Sequence, residues 1–148
     1  MKSPNPGPST RWSGRSSGAT TVTAIPRARS DAPIRIEHWV VAERQGQAAA
    51  RNMLGAKERF ADVPFFWSQH YDVPINYVGH AESLDQIDVR GSIPDRDCLI
   101  AYREGGRIAA VASIYRDRES LLAEVALERN DQAALEAILD GVHHASTA

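Results

Sequence analysis

Cysteine is nearly absent from this chain, and its scarcity excludes several kinds of site. Cys98 is the single cysteine among 148 residues, which excludes an internal disulfide, a CxxC redox centre and a cysteine-based iron–sulfur or zinc cluster. No stretch approaches the roughly 18 uninterrupted apolar residues that a membrane-spanning helix requires. The formal net charge of −2 does not favour nucleic acid or lipid as a partner. Composition therefore predicts one globular domain, with or without a tail.

The motifs that mark catalysis are also missing. The chain contains neither GxGxxG nor a Walker A loop, and its five histidines lack the spacing of a zinc site. Ser68 and His70 are near neighbours, but neither a third orienting group nor an oxyanion hole can be identified for them. Cys98 opens an apolar strand, where a free cysteine is usually buried and inert. We therefore expect no catalytic residue and no metal ligand.

The average charge conceals two different regions. Residues 1–33 hold five basic side chains against one acid, together with ten Ser or Thr and five Pro, whereas the remainder carries 12 basic and 18 acidic side chains. Such a segment cannot bury enough apolar surface to offset its ordering entropy, so we predict a disordered basic tail. A transit peptide is the alternative, but the prolines at 4, 6 and 8 would break its helix. We expect a cytoplasmic protein.

A strand and a helix are predicted to follow the tail. Ile34 and Ile36 alternate with charged residues, as in a short strand. The segment 39–54 has no proline, is rich in good helix formers and ends before Gly55, a natural left-handed cap. Gly46 lies inside this helix among several alanines, which suggests close approach of another backbone there. Ordinary packing of small residues is the alternative.

A small sheet and two further helices are predicted for the rest of the chain. The strand candidates are 65–67, 75–79, 87–90, 98–103 and 107–115, and the last two flank a Gly105-Gly106 hairpin turn. The last strand is largely apolar, which predicts a central place in the sheet. The order is α+β: one helix, an antiparallel sheet of four to five strands, and two C-terminal helices on one face.

The two final helices are predicted from their caps and their apolar positions. Asp117 is expected to cap a helix over 118–129, and Asn130 to cap the next helix. Leu121, Leu122 and Val125 share one face of the first helix. The second helix repeats this pattern with Leu135, Ile138, Leu139 and Val142.

Two short motifs combine polar and aromatic side chains. Glu37-His38-Trp39 stands at the start of the first helix, where free N–H groups and the helix dipole favour electron-rich ligand atoms. The segment 65–68, FFWS, follows a proline. Strand alternation sends Phe66 and Ser68 to one face and Trp67 to the other, where an indole could stack on a planar ligand. Each motif alone is more simply explained as core packing.

Together these motifs resemble the C-terminal part of FAD-dependent NAD(P)H oxidoreductases, the relatives of apoptosis-inducing factor, rubredoxin reductase and the ferredoxin reductases of oxygenase systems. The resemblance is carried by IRIEHW, a helix ending in ARNMLG, and PFFWSQHYDVPINYVGHA. It implies that residues 34–55 are the end of an FAD-binding domain. Residues 62–142 would form the small α+β domain, often called the reductase C-terminal or dimerisation domain.

The resemblance also implies cofactor contacts. By similarity, Glu37, His38 and Trp67 would lie near FAD and NAD(P)H, with Trp39 as a less direct contact. The whole enzyme would pass a hydride from NAD(P)H to FAD and then electrons to an iron–sulfur or similar acceptor, with the flavin performing the chemistry. A homodimer, or association with a flavoprotein, would be the expected partnership.

The chain also departs from that family, because the dinucleotide-binding motifs are missing. Residues 24–33, AIPRARSDAP, stand where the family closes its FAD site with an AxGD segment, and they lack its Gly-Asp. Without a Rossmann-type scaffold nothing holds the pyrophosphate. We therefore expect this chain alone to bind no FAD and to be catalytically inactive.

Three interpretations stay open at this point. The chain could be a truncated or misassigned reading frame of a larger reductase, retaining its small domain. It could be a standalone module that acts by protein association. It could also be an unrelated α+β binding module in which the two motifs coincide by chance.

Overall fold

Three helices and two antiparallel sheets make up the described part of the chain. The computed structural model describes residues 22–23, 34–58 and 60–142, with side chains from residue 36 onward. The elements are β1 (Val22–Thr23), β2 (Ile34–Arg35), α1 (Trp39–Met53), β3 (Phe65–His70), β4 (Val73–Gly79), β5 (Gln86–Ser92), β6 (Asp97–Glu104), β7 (Arg107–Ile114), α2 (Asp117–Glu128) and α3 (Gln132–Asp140). The larger sheet has the order β3-β4-β7-β6-β5. This confirms the predicted α+β class.

Most of the predicted tail lies outside the described residues, as do His143 and His144. Within residues 1–33, only β1 is described. It pairs with β2, with Val22 opposite Arg35. Val22 and Thr23 therefore differ from the predicted disordered tail, because an antiparallel partner strand satisfies their backbone groups. Disorder of the remaining residues stays a prediction. Among the described helices, none is both long and apolar enough to cross a membrane.

Helix α1 has the predicted bounds to within one residue. His38 precedes it in extended backbone, and Gly55 follows it at φ +97°. The Gly55 N–H donates to the Asn52 carbonyl oxygen (3.0 Å) and the Ala56 N–H to that of Arg51 (3.1 Å). These two bonds form a Schellman cap, which requires the left-handed conformation that glycine adopts readily.

The packing of α1 corrects one expectation. A Cβ added at Gly46 would meet no atom within 4 Å, so this glycine faces open space rather than a close backbone. The helix instead buries Val41 and Ala48, contacts β3, and joins α2 through the Arg44–Glu124 ion pair at 2.7 Å. Because so few positions of α1 are fully buried, the stability of this helix depends heavily on these contacts.

Strand β7 occupies the centre of the sheet, as predicted. It pairs with β4 on one side and with β6 on the other. The β6–β7 turn is the predicted pair Gly105 and Gly106, both at positive φ (57° and 72°). Two such residues fit a type I′ turn, whose twist matches the flanking strands.

The two faces of the sheet are covered differently. On one face, Leu99, Ala101 and Val111 pack against α2 and α3 to form the core, with Leu135, Leu139 and Val142 from the C-terminal end. On the other face, the rings of Phe66 and Tyr77 lie 5.2 Å apart and those of Tyr77 and Tyr102 lie 5.7 Å apart. This aromatic row lies over small residues of β7, and Ala110 and Ala112 are buried beneath it.

Helix α2 buries mainly small residues rather than its aliphatic face. Ser120, Ala123, Glu124 and Ala126 are buried, whereas Leu121, Leu122 and Val125 are 60%, 44% and 42% exposed. Small residues let the helix approach the sheet closely, which a leucine face would prevent. The face shared by Leu121, Leu122 and Val125 is therefore left largely exposed.

Both predicted caps are also displaced. Asp117 is the first residue of α2, and its carboxylate accepts a hydrogen bond from the Asn76 amide (2.8 Å) rather than from the helix. Asp131 caps α3 by accepting from the Ala134 N–H (3.0 Å). Asn130, at φ 54°, instead follows the end of α2 and accepts a bond from Arg107 (2.7 Å). The buried apolar positions of α3 agree with the prediction.

An ionic network ties the edge strand β5 to α3. The Arg103 guanidinium donates to Asp88 (2.5 Å) and bidentately to Glu136 (2.7 and 2.9 Å). These bonds hold the pKa values of both carboxyl groups below their usual range. Bidentate geometry makes such a pair stronger than an ordinary surface ion pair.

We predict that Gly46→Ala stabilises the chain by about 0.5–1 kcal/mol, because alanine loses less backbone entropy in a helix and the site has room. Urea unfolding followed by circular dichroism measures the change. Gly79→Ala is the contrast, since a Cβ there would meet the Ala109 carbonyl oxygen at 2.4 Å. Destabilisation by Gly46→Ala would contradict the open environment of this residue.

We predict that Glu136→Gln lowers the free energy of unfolding at pH 7 by about 0.5–1 kcal/mol. The folded-state pKa of Glu136 is lowered, so its contribution is present above the ordinary carboxyl pKa and is lost as pH falls through the folded value. The variant and the parent chain should therefore converge in acid, as measured by urea unfolding at several pH values. Glu43→Gln, at an exposed position of α1, is the control expected to show little change.

Candidate functional site

Three backbone features determine the structure around the start of the edge strand β3. Pro64 precedes it, and the Pro64 carbonyl oxygen accepts the Gly79 N–H (2.8 Å) from the end of β4. Gly79 lies at φ +92° against the Ala109 carbonyl, a position that no side chain could occupy. The next N–H, from His80, donates to the same Ala109 oxygen (3.2 Å). These bonds bring His80 beside the start of β3.

The His38 ring lies among three aromatic side chains at this edge. Its centroid is 6.0 Å from that of Trp39, 6.2 Å from that of Phe66 and 6.4 Å from that of Trp67, the last in edge-on orientation. The strand registers place Phe66 and Trp67 on opposite faces of the sheet, as alternation predicts. His38 therefore sits along the free edge of β3, within reach of both faces.

A partly open cavity of about 330 Å³ lies beside this cluster. Its walls are mostly apolar and aromatic: Ile36, Glu37, His38, Pro64, Phe65, Phe66, Tyr77, Gly79 and His80. His38 Nδ1 is buried and has no hydrogen-bond partner. A buried polar atom without a partner carries a free-energy cost that a ligand atom could relieve.

The structure brings the sequence-predicted residues together. Glu37 and His38 line the cavity, and Trp39 and Trp67 lie beside His38 with 61% and 47% of their surfaces exposed. Residues at 37–39 and at 67 thus meet through the contact of α1 with β3. This proximity argues against a chance coincidence of two unrelated motifs. Their predicted roles toward a cofactor stay predictions.

Sequence reasoning missed two residues of the cavity wall, Tyr77 and His80. Tyr77 pairs with Phe66 across the β3–β4 ladder, and burial raises the pKa of its phenol. His80 lies 3.5 Å from Glu82 through its Nε2 atom. The alternation in residues 75–79 placed Tyr77 and Gly79 on one face, but the partner strand that makes this face a cavity wall was not known from sequence.

The other chemical candidates show no catalytic arrangement. Ser68 Oγ and His70 Nε2 are 3.4 Å apart on the exposed side of an edge strand, too long for a good hydrogen bond. Cys98 is fully buried, as expected, and burial raises the pKa of its thiol. Among the residues that the structure describes, no group of three or more His, Cys, Asp or Glu could hold a metal ion.

Fold and site together define a small α+β domain with an aromatic cavity at one edge of its sheet. The family model described as "Reductase C-terminal" matches residues 65–144, more than half of the chain. The chain therefore belongs to the reductase C-terminal family. This confirms the resemblance found in the sequence.

Several reductases are similar to this chain in sequence. Human apoptosis-inducing factor 3 is 32% identical over 98 residues, which are 66% of this chain and 16% of that protein. The ferredoxin–NAD(+) reductase component of the anthranilate 1,2-dioxygenase system of Burkholderia cepacia is 38% identical over 88 residues, 58% of this chain and 21% of that protein. The chain thus spans about a sixth to a fifth of the length of these relatives.

Solved structures agree with this assignment. The covalent putidaredoxin reductase–putidaredoxin complex contains a chain with a TM-score of 0.65 and 27% identity, covering 76% of this chain and 29% of that one. The ferredoxin reductase of the CYP199A2 system from Rhodopseudomonas palustris has a TM-score of 0.70 at 23% identity, covering 77% and 28%. The latter likeness supports the fold alone.

We predict that Phe66→Ala lowers the free energy of unfolding by about 1–2 kcal/mol, less than for a fully buried ring because Phe66 is 38% exposed. The change removes a cavity wall and the first member of the aromatic row. Trp39→Ala is the control, since Trp39 also lies near His38 but is 61% exposed and lies outside the row of Phe66, Tyr77 and Tyr102. Equal effects in urea unfolding would contradict the role of Phe66 in the sheet.

Proposed function

We propose that this chain supplies the C-terminal domain of an FAD-dependent NAD(P)H oxidoreductase and is not catalytic alone. The observation that carries the proposal is the meeting of Glu37, His38 and Trp39 with Trp67 beside one aromatic cavity. Membership of the reductase C-terminal family supports it. So does the similarity to ferredoxin–NAD(P)(+) reductases, whose names state the reaction class.

The residues at the site fit the ring portion of a flavin. The cavity has flat aromatic walls, and the buried His38 Nδ1 offers a polar contact for a heteroatom of a ring. Glu37, His38, Trp39 and Trp67 would hold the ring system, with Phe66 and Tyr77 as apolar support. A bound flavin supplies hydride and single-electron transfer. The role of these residues is to orient the flavin ring and to exclude water from it.

The fit does not extend to the rest of FAD. A dinucleotide needs backbone N–H groups at a glycine-rich turn to hold its pyrophosphate, and the sequence contains no GxGxxG. The pyrophosphate site and the site for NAD(P)H therefore belong to a partner flavoprotein or to further domains. The electron acceptor would be an iron–sulfur or similar protein, by analogy with the reductase–putidaredoxin complex.

A standalone protein-interaction or dimerisation module is the second candidate. The apolar stripe of Leu121, Leu122 and Val125 on the outer face of α2 favours it, because three adjacent exposed aliphatic side chains are a feature of contact surfaces. The two candidates differ in their dependence on flavin.

We predict that the purified chain neither retains FAD through gel filtration nor oxidises NADH with a dye acceptor. Flavin absorbance of the protein fraction and loss of NADH absorbance measure the two properties. Tight retention or turnover would overturn the proposal that the chain is inactive by itself. Sequencing upstream of the Met1 codon in all three frames complements the assay, because GxGxxG and AxGD segments there would indicate a truncated reading frame.

A chimera tests the proposed cofactor contacts directly. Residues 34–142 replace the matching C-terminal part of putidaredoxin reductase, and NADH oxidation is compared between the chimera and its variants. Trp67→Ala and His38→Ala should each lower the rate roughly tenfold and alter the flavin spectrum, because the ring loses its positioning contacts. Tyr71→Ala is the matched aromatic control, since Tyr71 is 99% exposed at a hairpin tip. Equal activity of all variants would refute the site.

A further inference from the structure

Strand β5 is an open edge of the five-stranded sheet. It pairs with β6 on one side, and no strand of the described part of the chain pairs with its outer side. The backbone groups on that side are a template for another strand. Natural edge strands are commonly protected by charged side chains, above all lysine, by proline or by a covering element. The seven residues QIDVRGS contain neither lysine nor proline, and their two charged residues, Asp88 and Arg90, are of opposite sign.

Exposed aliphatic side chains run along this edge. Ile87 and Val89 are 52% and 37% exposed within β5, and Leu84 and Ile93, just beyond its two ends, are each 49% exposed. Ile87 and Val89 point to the face that carries the aromatic row, since they pair with Tyr102 and Ile100. A strand added at this edge would therefore extend an apolar face as well as the backbone ladder.

The charges of β5 favour one particular partner strand. Asp88 and Arg90 lie two residues apart and so project to the same face, where Asp88 accepts the Arg103 bond. In an antiparallel pair of two β5 strands centred on Val89, Asp88 of one copy stands opposite Arg90 of the other, twice. Cross-strand pairs of opposite charge stabilise a ladder.

We propose that two copies of this chain associate by antiparallel pairing of β5 with β5, centred on Val89, to form a continuous ten-stranded sheet. Registers centred on Asp88 or on Arg90 place like charges opposite each other and are disfavoured. The Val89-centred register also sets Ile87 across from Gly91, which has no side chain to obstruct it. The association is independent of flavin, so its test does not depend on the proposed cofactor site.

Cysteine cross-linking of the 148-residue chain tests the register. In the proposed pairing the two Val89 Cα atoms lie about 4.5–5.5 Å apart, which permits a disulfide. The two Ile87 residues are four positions apart along the strands, or roughly 13 Å, although Ile87 is the more exposed of the two. The native Cys98 is fully buried and contributes little background.

We expect Val89→Cys to form a disulfide-linked dimer on mild oxidation at least tenfold faster than Ile87→Cys. Gel electrophoresis without reductant measures both rates, and circular dichroism verifies that both variants are folded. Equal or reversed rates would overturn the register. Absence of cross-linking in both folded variants would overturn the interface.

Charge reversal tests the proposed pairs separately. Arg90→Glu places a carboxylate opposite each Asp88 across the interface, and should raise the dimer dissociation constant at least tenfold. Arg118→Glu makes the same charge change on exposed α2 and should leave dimerisation unchanged. Sedimentation analysis over roughly a thousandfold range of concentration measures both variants. A monomeric parent chain, or an Arg90→Glu variant that dimerises like the parent, would overturn the proposal, and the latter would direct attention to the α2 stripe.

Discussion

The two C-terminal helices pack on only one face of the five-stranded sheet, and the other features of the structure depend on this constraint. Helices α2 and α3 cover one face and form the core with Leu99 and Val111. The opposite face is closed instead by the row of three aromatic rings, which works because β7 presents only small side chains beneath it. Larger residues at these β7 positions would push the rings apart and expose the ladder.

The candidate site is a direct consequence of this arrangement. The aromatic row ends at the edge strand β3, where Phe66 forms a wall and no further strand of the described residues follows. Helix α1 contacts this edge strand and is held to α2 by Arg44 and Glu124. The cavity therefore lies at the junction of two chain segments, so its shape depends on how firmly α1 is attached. A firm attachment is what would let this edge position a planar ligand.

Features that depend on local conformational preferences were predicted from the sequence more successfully than features that depend on tertiary contacts. The ends of α1 and the Gly105-Gly106 turn were predicted because local conformational preferences decide them. The meeting of the Glu37-His38-Trp39 segment with Trp67 was expected only through the family resemblance. The cap of α2 and the surroundings of Gly46 were predicted wrongly. At the cap a tertiary neighbour overrides the local pattern, because Asn76 donates a hydrogen bond to Asp117. At Gly46 the expected neighbour is missing, since a Cβ there would meet no atom within 4 Å.

By itself, the sequence determined which segments from residue 34 onward are helices and strands, the central place of β7 and the family to which the chain belongs. These properties follow from residue preferences, hydrophobic periodicity and short motifs, all of which are local along the chain. Only the tertiary structure decided that Tyr77 and His80 join His38 at one cavity, and that β5 is left as an apolar edge with alternating charges. Both depend on which strands become neighbours, and strand order is set by contacts between residues far apart in sequence.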